Sequence, residues 1–573
     1  MDSPPTTDSS RLRWLLRLAA VATLLTNAYY LRFLEPWAGR ALLGALVVAT
    51  ALLSFLPLPA VPRTRAAAAH LLGRAAVPLV LIGILALGFF LREWGSRTGL
   101  PQSYLADEID WVNRALQMIK RGDFNPQWWH HPTLQRYVTA LTYTAVFFVG
   151  VAQGRWHQLA DVGELDMLYW GRFVSVACGT AAIAVTFLVA RRLFGTGCAL
   201  LAAALMALFP GAVKNAQFNK PDTLTGLLVV ISVLLALEYL KIGSAGRAFA
   251  CGLLVGLAAA AKYNAAEVFL AFAVAVLVRR GARMLSASDL YLGALGAGAG
   301  FFLGCPYFLA DLPRFLDHVA DEVYIYGTSG REGAEGVDNW RNHAVYLFLF
   351  GVTPLALVAA LLGLAHLLRR LDAARAVFLV FPVVYYSHYS AQRIRHDATL
   401  VPLYPFIAIL AAYGTLEAVR WSSERWPGLR REWLTAAFAL ALVAYPLVRS
   451  IWHDVVATRK DTGTYAREWI EATLPAGTHI AVERYCPVLD RGRYKVTMES
   501  HVIKKPLEVY REEGVQYLIV TSFSYARYGP EHPQTRAYQT IFAACPLVRE
   551  FSPGEGPGPT MRVLELPAAP RPE

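Results

Sequence analysis

The sequence predicts a polytopic α-helical membrane protein ending in a small α/β domain. Three observations carry that reading. Only 17% of the 573 residues are charged and mean hydropathy is +0.38, whereas soluble globular chains carry roughly 25% charge. Apolar runs of about 15–23 residues recur along most of the chain, near the length that crosses a ~30 Å hydrocarbon core. From about residue 455 those runs stop, and short β-rich stretches alternate with helical ones. A soluble multidomain, fibrous or disulfide-stapled protein is excluded.

The apolar segments fall near 14–33, 41–58, 77–93, 134–152, 171–190, 198–210, 224–240, 248–261, 265–279, 289–308, 345–367, 375–389, 399–418 and 433–450. The first lacks a small-residue cleavage site and a second run follows at once, so it reads as a crossing rather than a cleaved signal. Orientation follows from Lys and Arg in the short loops. With Arg11, Arg13 and Arg17 in the cytoplasm, Arg63, Arg65 and Arg74 return inside and residues 94–133 emerge outside. If 134–152 crossed, Arg191-Arg192, Arg279-Arg280 and Arg369-Arg370 would all lie outside; if it does not, all lie inside. Segment 134–152, which carries Gln135, Arg136, Thr139, Thr142 and Thr144, therefore reads as a juxtamembrane or re-entrant helix.

Thirteen crossings remain, with the N-terminus cytoplasmic and the C-terminus outside. Residues 1–76 hold two N-terminal transmembrane helices. Residues 77–454 form the main membrane domain, with its first outer loop at 94–133. Residues 455–573 form an extracytoplasmic α/β domain. The net charge of +12 is spread over orienting loops. A nucleic-acid partner would need cations clustered on one face with aromatics between them.

In the C-terminal part, a helix is expected over 462–473, strands over 479–483, 494–497, 515–520, 547–551 and 561–566, and helices near 505–513 and 533–544. No catalytic constellation occurs there. Cys486 and Cys545 could pair on an oxidising side of the membrane. The other four cysteines read as small core residues, and no CxxC or Cys/His zinc spacing exists.

Polar residues collect on the outer loops. Asp107, Glu108 and Asp110 open a helix just beyond segment 77–93. An acidic helix start favoured by the dipole is the plain reading; a general base or cation ligand is the functional one. His130-His131 are adjacent and cannot chelate as an i,i+4 pair would. Asp222 follows Pro221, where it could cap a helix, with Lys214 and Lys220 nearby as a basic site suited to phosphate. Lys262-Tyr263-Asn264 separates two short apolar segments, so Lys262 is expected in a recess where a charge is a functional candidate. Arg393, Arg395 and His396 add positive charge on the outer side, against the orientation rule. Residues 309–343, with Arg331, Glu332, Glu335, Asp338 and Arg341, read either as a substrate loop or as a solvated one.

Certain short stretches then recur in order: Ala106-Asp-Glu108, His131-Pro-Thr-Leu134, Gly171 to Ser175 through Arg191 to Gly195, Asn219-Lys-Pro-Asp222, Gly256 to Asn264, and Arg395-His396 with Pro402-Leu-Tyr-Pro405. In these the chain resembles the integral-membrane glycosyltransferases of the GT-C fold. The resemblance is to the family-39-type group that includes protein O-mannosyltransferases and bacterial aminoarabinose transferases. It implies a polyprenyl-phosphate-linked sugar donor, used on the outer face of a bacterial-type plasma membrane, and a glycan, lipid or protein acceptor. It maps the catalytic base to Asp107, with Glu108 beside it and Asp222 as the second acidic position. Lys262, Arg395, Lys220 and His396 are the candidates for the donor phosphate, and His131, Tyr263 and Asn264 for substrate. No nucleotide is implied. Some related enzymes bind a divalent metal near the acidic loop, but no strong ligand set for one is found here. The two N-terminal crossings depart from the simplest pattern of the group. The competing class is a transporter or flippase for a lipid-linked or anionic solute, which an inverted repeat would favour; none is seen.

Overall fold

The computed structural model of the protein describes residues 66–100, 106–329, 338–394, 396–428, 430–554 and 557–567. The chain divides into two compact units, residues 1–78 and 79–573. The expected crossings at 14–33 and 41–58, Arg395, and Arg331, Glu332 and Glu335 lie outside the described residues.

The helices of the membrane part run in order α1 (Ala66–Gly95), α2 (Ala106–Arg121), α3 (Leu134–Ala152), α4 (Glu164–Phe194), α5 (Thr196–Leu208), α6 (Pro210–Asn215), α7 (Pro221–Ile242) and α8 (Ala245–Ala261). They continue as α9 (Phe269–Arg280), α10 (Ser288–Gly304), α11 (Leu312–Tyr324), α12 (Asn339–Tyr346), α13 (Pro354–Arg369), α14 (Ala373–Ala391), α15 (Tyr404–Arg425) and α16 (Arg431–Ala457). Among the described residues, five spans are long and apolar enough to cross a membrane: Ala76–Gly95, Glu164–Phe194, Pro221–Ile242, Asp397–Arg425 and Arg431–Thr473. Thr196–Leu208, Ala245–Ala261 and Pro354–Arg369 are shorter apolar helices. Helix α3 is not in either group. Its polar side chains Gln135, Arg136 and Thr139 point inward, while Leu141 and Phe148 are 72% and 64% exposed. That inside-out distribution is what a helix shows when its surroundings are less polar than its protein contacts.

Where two apolar helices meet in such surroundings, close backbone approach replaces hydrophobic burial as the source of affinity. Helices α8 and α10 meet this way. A Cβ at Gly252 would run into the carbonyl of Gly293, and one at Gly256 into the carbonyl of Ala297. Gly363 on α13 and Gly414 on α15 meet in the same manner.

The C-terminal part follows the expected order closely. Helix α17 (Thr462–Thr473) leads into β1 (His479–Glu483) and β2 (Lys495–Glu499). Then come α18 (Leu507–Glu512), β3 (Tyr517–Thr521), α19 (Ser522–Tyr525), α20 (Pro533–Ala544), β4 (Leu547–Phe551) and β5 (Met561–Glu565). The sheet order is β2-β1-β3-β5-β4. Strand β1 is parallel to both neighbours, with Ile480 opposite Val496 and Tyr517, and β5 is antiparallel to β3 and β4. Alternation along β1 sends Ile480 and Val482 to one core and Ala481 to the other. Cys486 belongs to the first core and Cys545 to the second. These two cysteines, which could have paired, are both free thiols, one in each core.

The backbone contact between α8 and α10 gives a prediction. Gly256→Val should cost about 1–3 kcal/mol by overpacking and lower the thermal midpoint in detergent. Gly298→Ala, on the partner helix α10 but with open space around its Cβ, should leave the midpoint unchanged or raise it slightly.

Candidate active site

The first turn of α2 carries Asp107 and Glu108, and the two side chains part company there. Glu108 is fully buried. Its two oxygens accept from Arg172 of α4, Nε to Oε1 at 2.8 Å and Nη2 to Oε2 at 2.7 Å. Oε1 also accepts the backbone N–H of Asn219 at 3.0 Å. Arg172 spends its remaining arm on the carbonyls of Ser96 and Thr98, just past α1, at 2.7 and 2.6 Å. Asp107 is exposed. Glu108, a candidate for catalysis on sequence, is thus committed to holding α1, α2, α4 and the 216–220 loop at one point.

That loop delivers the second acid. Asn219 is held by Glu108 on its backbone and by Gln135 on its side chain, at 3.2 Å. Gln217 donates to Asp454 of α16 and accepts from His453 at 3.0 Å. Lys220 is the extended residue that begins α7, Pro221 takes the first helical position, and Asp222 follows in the first turn. Asp222 is buried and receives the ammonium of Lys262 at 2.6 Å. Lys262 is where α8 ends and a 3-10 turn over Tyr263–Val268 begins. It lies in the recess expected of it, with 15% of its side chain exposed.

Lys262 lines a cavity of about 500 Å³ together with His130, His131, Tyr263, Asn264, Glu267, Glu322, His388 and Gln392. Three of the sequence candidates for substrate, His131, Tyr263 and Asn264, are therefore on one wall system with a candidate phosphate ligand. Tyr263 is fixed by its hydroxyl donating to the Trp129 carbonyl at 2.8 Å. His131 stacks on Trp111 of α2, ring centroids 5.5 Å apart. The Arg136 guanidinium lies 4.9 Å from the ring centres of both Trp111 and Trp128. Burial, with Lys262 and Arg136 close by, pushes the His131 imidazole down to about 3, so it is neutral at physiological pH. Asp107, Asp222, Lys220 and His396 are not in the cavity wall. His396 lies within electrostatic range of Asp222. Arg395 is outside the described residues.

Sequence reasoning passed over Glu267, His388 and Glu322. Glu267 and His388 sit within or at the end of segments read as purely apolar, and an acid inside an apolar segment is itself a signal. His388 Nδ1 meets Glu267 Oε1 at 2.5 Å, and His130 Nδ1 meets Glu322 Oε1 at 3.1 Å. A divalent metal at the acidic loop does not fit the donor set. Among the described residues, both oxygens of Glu108 are taken by Arg172, an oxygen of Asp222 by Lys262 and an oxygen of Asp110 by Arg114. Among the described residues no three His, Cys, Asp or Glu side chains converge as a metal site.

The family model for dolichyl-phosphate-mannose-protein mannosyltransferases matches residues 167–303. A search of curated proteins returns no match. Among solved structures, ArnT from Cupriavidus metallidurans bound to undecaprenyl phosphate aligns with 16% identity, 87% of this chain and 99% of that one, TM-score 0.52. The oligosaccharyltransferase AglB from Archaeoglobus fulgidus, in complex with an inhibitory peptide and a dolichol-phosphate, aligns with 13% identity, 79% of this chain and 70% of that one, TM-score 0.50. The chain has the GT-C fold, and the resemblance to family-39-type GT-C proteins read from short motifs is borne out.

Two measurements check this geometry. Arg172→Met leaves the buried Glu108 charge unpaired and should cost about 3–5 kcal/mol. The double variant with Glu108→Leu should recover a large part of that loss, read as thermal midpoints in detergent. The second concerns pH. His131 is held neutral down to about 3, whereas in the unfolded chain an imidazole takes up its proton near 6.5. Between those values the unfolded state binds the extra proton, so stability falls as pH falls. His131→Gln should flatten the decline of the midpoint between pH 6.5 and 4.5.

Proposed function

We propose that the protein is a membrane glycosyltransferase that moves a sugar from a polyprenyl-phosphate donor to an acceptor hydroxyl on the outer face of the membrane. The observation that carries the reading is the buried ammonium of Lys262, held by Asp222 and lining a cavity large enough for a sugar phosphate. An ammonium has three donors. One goes to Asp222, which leaves donors for a phosphate oxygen. The two solved neighbours contain undecaprenyl phosphate and dolichol-phosphate, which supports a lipid-linked donor here.

In this reading Asp107 is the general base, because Glu108 and Asp222 are each tied to a buried cation. Asp107 takes the proton of the acceptor hydroxyl as that oxygen bonds to the anomeric carbon. The bond from that carbon to the phosphate oxygen breaks, and its electron pair leaves on the lipid phosphate. Lys262, with Lys220, His396 and Arg395, offsets the charge that develops there. A single displacement inverts the anomeric carbon. The α/β domain, residues 455–573, sits on the same outer side, and the N-terminus is cytoplasmic.

The test is transfer with purified protein, polyprenyl-phosphate sugars and membrane acceptors, following release of free polyprenyl phosphate. Asp107→Asn should slow release about 10²–10⁴-fold with little change in donor binding. Transfer by that variant near the wild-type rate removes Asp107 from the role. Saturable lipid binding without release from any donor would move the protein to the transporter class.

A further inference from the structure

Helix α11 covers one side of the Lys262 cavity and contributes Val319, Glu322 and Val323 to its wall. None of its residues is buried, so a few specific contacts hold it rather than packing on all sides. Near its start, the Phe315 ring meets those of Trp129, Tyr263, Phe301 and Phe308. Beyond its end, the Tyr326 carbonyl accepts the backbone N–H of Arg393 at 2.9 Å. Between these anchors two imidazoles make the contact. His318 Nδ1 accepts the backbone N–H of Trp129 at 2.9 Å. His130 Nδ1 meets Glu322 Oε1 at 3.1 Å, and the two rings stack with centroids 4.3 Å apart.

A backbone N–H can only donate, which assigns a lone pair to His318 Nδ1 and the ring proton to Nε2. A second proton has to enter at Nδ1. There it faces the Trp129 N–H, donor against donor, and puts a charge on a ring stacked against His130. The charged groups around His318 are Asp321, Arg314 and Asp317 of its own helix, with His130, itself bonded to Glu322, across the contact. Partial burial, His130 and Arg314 outweigh the two aspartates and hold the imidazole below its ordinary value. Glu322 keeps His130 with or without a second proton on that ring, so the Trp129 end is the one that acid opens. Trp129 bears directly on the site, because its carbonyl accepts from the Tyr263 hydroxyl, next to Lys262.

We propose that His318 is a pH-sensitive latch between α11 and the Trp129 backbone, closed while its imidazole is neutral and released on acidification, so that this wall of the Lys262 cavity loosens as pH falls. The latch does not depend on which ligand the cavity takes. The latched form has the lower proton affinity, so latching is fully present well above about pH 6.5 and is lost as pH falls below it.

The test is hydrogen exchange of the Trp129 amide in the purified full chain, corrected for the intrinsic rate. In His318→Asn, Oδ1 stands where Nδ1 stood and does not titrate, so this variant records any general loosening by acid. Between about pH 7.5 and pH 5, protection of Trp129 should fall about three- to thirtyfold more in the wild type than in His318→Asn. In His318→Ala it should be low at both pH values. A second measurement needs no variant: nitrogen chemical shifts of labelled histidine should show His318 with Nδ1 unprotonated at neutral pH and a titration midpoint below about 6.5. Equal falls in the wild type and His318→Asn, no fall in the wild type, or a His318 midpoint at or above that value overturns the latch.

Discussion

The buried pair of Glu108 and Arg172 is the contact on which the candidate site depends. Taking two ions out of water costs several kcal/mol each unless every polar atom is satisfied. Here the carboxylate accepts a two-armed guanidinium and a backbone N–H, and the guanidinium also reaches two carbonyls. Such saturation leaves little freedom. The end of α1, the start of α2, the middle of α4 and the loop before α7 can meet in only one arrangement. Asp107 is one residue from this junction and Asp222 three residues from Asn219, so both inherit its geometry.

The same loop is gripped a second time from the C-terminal side. Gln217 is buried between Asp454 and His453 of α16 and the Leu91 carbonyl, and Gly95 has no side chain because Gln217 and Asp454 fill that space. Helix α16 runs directly into the α/β part, whose Asp461, Thr462 and Phe523 share a small cavity with Arg172 and Phe218. The α/β part thus touches the scaffold of the acidic residues rather than the cavity around Lys262. Elsewhere the membrane helices are joined by glycine contacts that bring backbones together.

The charges divide into those paired inside the protein and those left exposed. Glu108 and Arg172 neutralise one another in a dry setting. Asp222 holds the Lys262 ammonium in a fixed place, which is the preorganisation that makes a charge effective against a developing anion. Arg136 is held between two indole faces, and its charge helps keep His131 neutral. Of Asp107, Glu108 and Asp222, Asp107 alone is exposed, and the other two are each paired with a cation.

The sequence by itself determined the helical membrane class, the positions of the strands along the C-terminal part and the short motifs of the site. Each is carried by local information: runs of apolar residues, period-two alternation, and a Pro or acid at a helix start. It also marked α3 as an unusual segment, because Gln135, Arg136 and Thr139 interrupt an otherwise apolar run. Only the tertiary structure separated Asp107 from Glu108, since one backbone places them a residue apart and only Arg172, 64 positions from Glu108, tells which is buried. It set Cys486 and Cys545 on opposite faces of a sheet whose register no local pattern fixes. It also brought Glu267 and His388 into the cavity: inside apolar runs they look like isolated polar residues, and their partners lie 121 positions apart. Pairings across such distances depend on how helices cross, and that is decided by packing rather than by neighbours in the chain.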